Sequence, residues 1–123
     1  MKSKILALSK NEEFKKLLKQ KKISNKYATI HYGFLEGKSN NMLNISFVMK
    51  KNIGNAVTRN KIKRKLKYAG QKILRENKLI DLNYTYVIFG KNNVYKDKFS
   101  LVLNEVNETF KKISKWEAKH EIN

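Results

Sequence analysis

The sequence predicts an α+β sandwich, in which helices pack against one small sheet. Apolar residues recur at helical spacing in three segments and at strand spacing in three others, in the order α-β-β-α-β-α. A length of 123 residues suits one domain, and a hydrophobic content of 41% is enough for a buried core. We therefore expect a single domain over residues 1–115 and a frayed tail over residues 116–123.

The first helix is predicted over residues 10–19. Ser9 and Glu12 have the spacing of a capping box, in which each side chain bonds a backbone amide of the first turn. The apolar face of this helix is formed by Phe14, Leu17 and Leu18.

Three segments have the patterns of strands. Residues Tyr27–Phe34 are aromatic and β-branched, and residues 43–50 alternate between apolar and polar, as in a strand with one buried face. Residues 36–41, which include Gly37, are predicted to form a hairpin turn between these two strands. Residues Tyr84–Lys91 are apolar on both faces, so we expect this strand to be central in the sheet.

Two further helices are predicted from apolar stripes. The second helix follows the pair Gly54-Asn55, and the third extends from Asp97 to about Lys115. The stripes consist of Ile62, Leu66, Ala69 and Ile73 in the second helix, and of Phe99, Leu103, Val106, Phe110 and Ile113 in the third.

The charge of the chain is large and unevenly distributed. Lys and Arg number 28 against 10 Asp and Glu, for a formal net charge of +18. Residues 1–26 carry +7 and residues 50–72 carry +9, whereas residues 27–49 are neutral and residues 73–123 carry +2. A charge of this size opposes compactness unless a polyanion is bound, and the usual polyanion is nucleic acid.

Composition excludes several kinds of site. Because the chain has no cysteine, disulfides, thiolate zinc sites and cysteine nucleophiles are excluded. The two histidines, His31 and His120, have no evident partner, and Asp81 and Asp97 suit turn or cap positions, so no catalytic residue is expected. The apolar runs are too short for a membrane span or a signal peptide. We expect a cytoplasmic protein without a bound cofactor or metal.

The densest functional signal lies in and after residues 54–64. On a helical wheel, cationic side chains surround the narrow apolar seam of the second helix: Arg59, Lys61, Lys63, Arg64, Lys65, Lys67 and Lys72. No acidic residue lies within the run 54–67, so its cations repel one another when unbound. A face of this kind binds phosphates, with affinity supplied by counterion release. The plain alternative is a solvated surface.

Residues Gly54–Arg64 resemble the hallmark of the bacterial ribonuclease P protein subunit, Gly-Asn-Ala-Val-x-Arg-Asn-Arg-Ile-Lys-Arg. The match is complete except for Lys61 in place of an arginine. The resemblance covers about residues 9–115, since residues 11–19 are similar to the family's first helix and residues 81–89 to its later Asp-plus-strand segment. The chain departs from the family pattern at Leu18, Lys21, Lys22, Asn44, Ser46 and Asn52.

The resemblance implies a protein cofactor to a catalytic RNA that removes the 5′ leader from precursor tRNA. It implies that the RNA and its Mg²⁺ ions hydrolyse the phosphodiester, while the protein binds that RNA and the single-stranded leader. The residues implied to contact the catalytic RNA are Arg59, Asn60, Lys61, Lys63, Arg64 and Lys67. Those implied to line a leader cleft between the first helix and one sheet face are Phe14, Lys15, Leu18, Tyr32 and Lys51.

The implied fold is a small α/β sandwich similar to the second domain of ribosomal protein S5, with a left-handed β-α-β crossover. Periodicity alone does not predict that hand, because crossovers are generally right-handed. The protein without RNA is expected to be monomeric. Phe14 and Tyr32 also suit the core, since aromatic residues at helical or strand spacing are usually buried.

Three other functions fit parts of the pattern. A ribosomal protein or RNA chaperone would share the charge and fold type, but would not account for the match over residues 54–64. A double-stranded DNA binder with residues 56–71 as its recognition helix needs a preceding support helix, whereas residues 42–50 are predicted as strand. A basic helix on an anionic membrane would carry aromatic anchors, which this aliphatic stripe lacks.

Overall fold

The fold was analysed in a computed structural model, which describes residues 5–6, 11–38, 43–76 and 80–121, and the side chains of 12–38, 43–76 and 80–115. The predicted capping residue Ser9 and the second half of the predicted hairpin turn, residues 39–41, lie outside these residues. The described elements are β1 (Ile5–Leu6), α1 (Asn11–Leu18), β2 (Lys21–Ser24), β3 (Ala28–Gly33), β4 (Leu43–Val48), a 3-10 turn (Lys51–Ile53), α2 (Ala56–Glu76), β5 (Thr85–Gly90), α3 (Asn93–Lys96) and α4 (Phe99–Glu121).

The strands form one sheet in the order β1-β4-β5-β3-β2. β5 pairs in parallel with β4 and antiparallel with β3, which confirms that it is central. The predicted hairpin between β3 and β4 is wrong, because β5 lies between them. β4, α2 and β5 form the parallel crossover that the family resemblance implies. Its left-handed sense stays a prediction.

The two faces of the sheet are covered unequally. On one face, α2 and α4 bury the larger core around Tyr86 and Ile88. On the other face, α1 covers a smaller cluster that contains Leu17 and Val87. A helix of eight residues is about 12 Å long, so α1 leaves part of this face uncovered.

The helices begin close to their predicted positions, and their ends differ more. α4 continues to Glu121, so helical backbone extends past the predicted end near Lys115 and through most of the predicted tail. Four short elements were missed: β1, β2, the 3-10 turn and α3. Each has two to four residues, too few to show a complete apolar period.

Local chemistry determines where α2 begins. Gly54 has a φ of 142°, a conformation that L-amino-acid residues rarely adopt. Asn55 caps the helix, because its side-chain oxygen accepts a hydrogen bond from the Thr58 N–H at 2.9 Å. One turn later, the Arg59 guanidinium donates to the backbone carbonyls of Lys51 and Gly54. The beginning of the motif therefore fixes the turn from which α2 projects.

Contacts at both ends hold α1 across the sheet. Near its start, Glu13 forms an ion pair with Lys38 at 2.6 Å. Just after its end, the Gln20 side chain bonds both the N–H and the carbonyl of Phe34, each at 3.1 Å. The Gln20 amide lies over Gly33, where a Cβ would collide with it. The separation between α1 and the sheet is thus fixed by specific contacts as well as by apolar packing.

Candidate nucleic-acid interface

One candidate surface is the exposed side of the first half of α2, which we call the α2 basic face. It consists of Asn60, Lys61, Lys63, Arg64 and Lys67, all of which are exposed. Within the described part of the chain, the side chains of Asn60, Lys63, Arg64 and Lys67 have no hydrogen-bond or ion-pair partner. The Lys61 ammonium lies 5.7 Å from the centroid of the Tyr95 ring. These charges are available to an anionic ligand.

Three other cations of the predicted basic helix have partners inside the protein. Arg59 is half-buried and bonds the turn before α2, as described above. Lys65 does not lie on the open face, because its ammonium donates to carbonyls near the end of α3, including that of Asp97 at 3.0 Å. Lys72 pairs with Glu76 at 3.1 Å. The helical wheel placed all three residues around the apolar stripe of α2, but a wheel cannot show contacts with other elements.

A second candidate surface is the α1–sheet cleft, between α1 and the sheet face that it partly covers. Phe14 is half-buried here and packs with Val48 and Phe89 against the smaller cluster. Leu18 is 39% exposed at the end of α1. Lys15 is exposed on the same helix, and Lys51 is exposed in the turn that follows β4. These four predicted residues lie on or near one side of the sheet.

Tyr32 does not lie in this cleft, which corrects its predicted position. It is 5% exposed and belongs to the larger core under α2 and α4. Its ring stacks on Tyr86 with a centroid distance of 6.3 Å. Because side chains alternate along a strand, the neighbouring His31 faces α1 instead, and its ring contacts Phe89 at 5.3 Å between centroids.

A groove of about 280 Å³ extends the cleft along the sheet. Its lining consists of Thr29, Lys50, Asn52, Ile53, Phe89, Gly90, Lys91 and Asn92. Because Phe89 belongs both to this lining and to the cluster under α1, the cleft and the groove are contiguous. The open end of the cleft therefore combines an aromatic ring with lysine side chains.

The residues of the cleft and groove that were not predicted from the sequence include Thr29, His31, Lys50 and Phe89. A signal for two of them was present in β3, where Thr29 and His31 alternate with an apolar set. The apolar set fits the face covered by two long helices, so the polar set belongs on the less covered face. No comparable signal existed for Phe89, because both faces of β5 are apolar.

The His31 imidazole has an unusual environment. Its Nδ1 is buried and has no hydrogen-bond partner among the described residues. Burial, followed by the charge of Lys22, lowers the pKa of His31 below its ordinary value of 6.5. The ring is consequently neutral at pH 7 and can stack or accept a hydrogen bond.

The described side chains contain no group of three or more His, Asp or Glu residues placed to hold a metal ion. Among the described residues, every helix is too short or too polar to cross a membrane.

Comparison with known proteins identifies the family. A family model described as Ribonuclease P matches residues 3–114. The chain belongs to the ribonuclease P protein family. It is 31% identical over 101 residues to the ribonuclease P protein component of Carboxydothermus hydrogenoformans, and the match covers 80% of this chain and 83% of the relative. As a ribonuclease P protein, it is a component of an endoribonuclease complex of tRNA processing.

Solved ribonuclease P proteins share the fold. The Staphylococcus aureus protein superposes with a TM-score of 0.66 at 20% identity, covering 89% of this chain and 94% of that one. The Thermotoga maritima protein gives a TM-score of 0.60 at 19% identity, covering 86% and 96%. These matches confirm the α+β fold predicted from the sequence.

Proposed function

We propose that this chain binds the catalytic RNA of ribonuclease P through the α2 basic face and holds the single-stranded 5′ leader of precursor tRNA in the α1–sheet cleft. The complex then removes the leader to give mature tRNA 5′ ends. The observation that carries the proposal is the set of exposed cations on α2, which lack acidic partners in the described chain. Such a surface gains most of its affinity from phosphates.

The spacing of the α2 basic face supports binding to a folded RNA. Lys63 and Lys67 lie four residues apart, about 6 Å along the helix, so both can contact one backbone. Arg64 can donate two parallel hydrogen bonds to one phosphate, which a lysine cannot. Because Arg59 and Asn55 fix the start of α2, these side chains project from a rigid helix.

The α1–sheet cleft supports binding to a single strand. Proteins hold single strands by stacking bases on aromatic rings in a positive groove, with little preference for sequence. Phe14, His31 and Phe89 supply rings on this face of the sheet. Lys15 and Lys50 supply charge at its margins. A leader strand lying in the cleft would therefore meet both kinds of contact.

Catalysis in this proposal belongs to the RNA. The Mg²⁺ ions needed for phosphodiester hydrolysis are bound mainly by the RNA, and the protein holds no cofactor. The protein contributes by neutralising phosphates and by positioning the leader, which lowers the Mg²⁺ concentration needed for activity. The free protein is a monomer in the cytoplasm.

Reconstitution tests the proposal. The protein, a bacterial ribonuclease P RNA and a precursor tRNA are mixed at low Mg²⁺, and leader release is followed with time. We expect the protein to accelerate RNA-dependent cleavage and to cleave nothing alone. Binding is then compared between the precursor and mature tRNA, and the protein should favour the precursor. Cleavage without RNA, or no effect on the RNA's activity, would contradict the proposal.

A further inference from the structure

A cavity of about 400 Å³ lies between α2 and the start of α4, the two helices that cover the sheet face opposite α1. Its lining consists of Lys61, Arg64, Lys65, Tyr68 and Phe99. The volume falls within the range of small-ligand sites, about 300–1,000 Å³. None of the contacts proposed above for the catalytic RNA or the leader uses Tyr68 or Phe99.

The aromatic part of this cavity is open to solvent. Tyr68 is 58% exposed, although its ring is large and mostly apolar. The rings of Tyr68 and Phe99 meet edge to face, with centroids 5.9 Å apart and planes at 88°. A pair in this arrangement leaves ring faces uncovered, and a third flat ring can stack on them.

The charged part of the cavity favours an anionic ligand over an apolar one. Arg64 is exposed and has no partner in the described chain, and Lys61 borders the cavity beside it. An apolar protein surface docked here would leave both cations desolvated and unpaired, which is costly. A nucleotide instead offers a flat base for the rings and phosphates for the cations.

The walls of the cavity are held in place without a ligand. The Lys65 ammonium donates to the carbonyls of Val94 and Asp97, each at 3.0 Å, and so ties α2 to the bend between α3 and α4. On its other side, the Asp97 carboxylate accepts the Tyr27 hydroxyl at 2.6 Å. Phe99 follows this pinned bend by two residues, so its position against Tyr68 is largely set before binding, which lowers the entropic cost of binding.

We propose that Tyr68 and Phe99 form a stacking site for one unpaired nucleobase of the catalytic RNA, whose flanking phosphates contact Arg64 and Lys61. The proposal rests on the proposed RNA-binding role of α2. It commits to the catalytic RNA because Arg64 belongs both to this cavity and to the α2 basic face, so the two surfaces are continuous. Only an unpaired base presents both of its faces to a protein, so the occupant comes from a loop, bulge or junction.

Substitution of Tyr68 separates stacking from charge. Tyr68→Leu keeps a helix-forming apolar residue but removes the ring, and we expect it to weaken binding to ribonuclease P RNA at least about fivefold. The slope of log affinity against log salt should not change, because no charge is lost. Tyr68→Phe keeps the ring and should bind within about twofold of the unchanged protein. Phe34→Leu, which removes an exposed ring elsewhere, is the matched control and should have no effect.

The outcomes distinguish this proposal from the general function. If Lys63→Gln weakens RNA binding but Tyr68→Leu does not, the stacking site is wrong and the role of the α2 basic face stands. If neither variant weakens binding, the proposed function itself fails. Melting curves of each variant show whether it is folded, and a Tyr68→Leu protein that binds weakly because it unfolds would also have lost leader discrimination.

Crosslinking tests the site in the unmodified protein. Catalytic RNA containing photoreactive 4-thiouridine is irradiated in complex with the protein, and crosslinked peptides are identified by mass spectrometry. We expect Tyr68 or Phe99 to crosslink to a single unpaired uridine, or only to uridines next to the stacked base in the same loop. Crosslinks from labelled precursor tRNA instead, or from catalytic RNA only to residues outside this cavity, would overturn the proposal.

Discussion

The α2 basic face and the α1–sheet cleft differ in how the protein prepares them for RNA. On α2, Lys63, Arg64 and Lys67 extend into solvent without partners in the described chain. In the cleft, Phe14 and Phe89 are half-buried and packed against the smaller cluster that contains Leu17 and Val87. The first surface offers charge on flexible side chains, whereas the second offers rings in fixed positions. Binding at α2 should therefore respond strongly to salt, and binding in the cleft more strongly to the shape of side chains.

Arg59 connects the two surfaces. Its backbone lies in the first turn of α2, and its guanidinium bonds the carbonyls of Lys51 and Gly54. Residues 50, 52 and 53 of that same turn line the groove that extends the cleft. The family motif thus contains side chains of two kinds, those that shape the junction between the surfaces and those that face outward. This division predicts which variants affect one surface and which affect both.

The largest effect is expected from neutralising the α2 basic face. Replacing Lys63, Arg64 and Lys67 together by Gln removes three phosphate contacts and should lower the salt slope by about 2–3. At physiological salt this corresponds to a loss of affinity for the catalytic RNA of about a hundredfold. The measurement is a binding isotherm repeated at several salt concentrations. The protein's melting temperature should not fall, because these side chains have no partners in the described chain.

The matched control replaces three exposed cations, Arg75→Gln, Lys112→Gln and Lys115→Gln. These changes reduce the net charge by the same amount but lie outside both surfaces. An equal loss of affinity in the control would mean that RNA binding follows net charge alone, and the distinction between surfaces would be lost.

Arg59→Gln is expected to have a smaller effect on RNA affinity, but to affect binding at both the α2 basic face and the α1–sheet cleft. Loss of the charged hydrogen bonds to the turn should reduce the free energy of unfolding by about 1–2 kcal/mol. Because the turn borders the groove, discrimination between precursor and mature tRNA should fall together with catalytic-RNA affinity. Arg75→Gln, at the exposed end of α2, loses the same charge without touching the turn and should affect neither. A variant of Arg59 that lost RNA affinity alone would show that the guanidinium acts only as a phosphate ligand.

The cleft alone is tested by comparing Phe89→Leu with Tyr32→Leu. Phe89→Leu should reduce the preference for precursor over mature tRNA about fivefold, because a stacking surface is lost, while affinity for the catalytic RNA stays unchanged. Tyr32→Leu should reduce the free energy of unfolding by about 1–3 kcal/mol, because Tyr32 is buried against Tyr86. It should leave the tRNA preference of the folded protein unchanged. The reverse pattern would restore Tyr32 to the leader site.

The buried position of Tyr32 shows a limit of prediction from the sequence. Alternation in β3 separates Tyr32 from His31 and indicates that the polar set lies on the less covered face of the sheet. That α1 covers this face, while the two long helices cover the other, is a long-range arrangement that no local pattern encodes. The predicted hairpin failed for the same reason. Elements whose signals are local were predicted well, since Asn55 and the apolar stripe that starts at Ile62 define α2 within the helix itself.

The candidate site was predictable to a similar extent. Family resemblance and exposed charge together located the α2 basic face, and the structure leaves those side chains open. Lys65 has the same charge and lies on the same helix, but reaches carbonyls of Val94 and Asp97 that are 29 and 32 residues away in the chain. Whether a cation binds a ligand or its own fold is decided by such long-range contacts. Charge and helical spacing alone therefore could not separate Lys65 from Arg64, and only the family resemblance did.

The smallest effect is expected from the titration of His31. It should make tRNA binding in the α1–sheet cleft depend on pH, whereas RNA binding at the α2 basic face should not. Its pKa is lowered by burial and by Lys22, so the unfolded chain binds the proton more readily than the folded protein. The stability of the free protein should therefore fall as pH decreases through 6.5. Phosphates of a bound leader act in the opposite direction, because negative charge raises the pKa of a nearby imidazole. Affinity for precursor tRNA should thus rise by about two- to threefold as the pH falls from 7.5 to 5.5.

The α2 basic face should show no such change, because it contains no histidine. Binding of catalytic RNA and of precursor tRNA is therefore measured across the same pH series, with mature tRNA as the reference for effects on the RNA itself. His31→Gln should abolish the rise in precursor affinity, whereas His120→Gln, which removes the other histidine, should retain it. If catalytic-RNA binding rose with the same profile, or if His31→Gln kept the rise, His31 would not face the leader. The opposite signs expected for stability and for leader affinity cannot both arise from a general loss of structure at low pH.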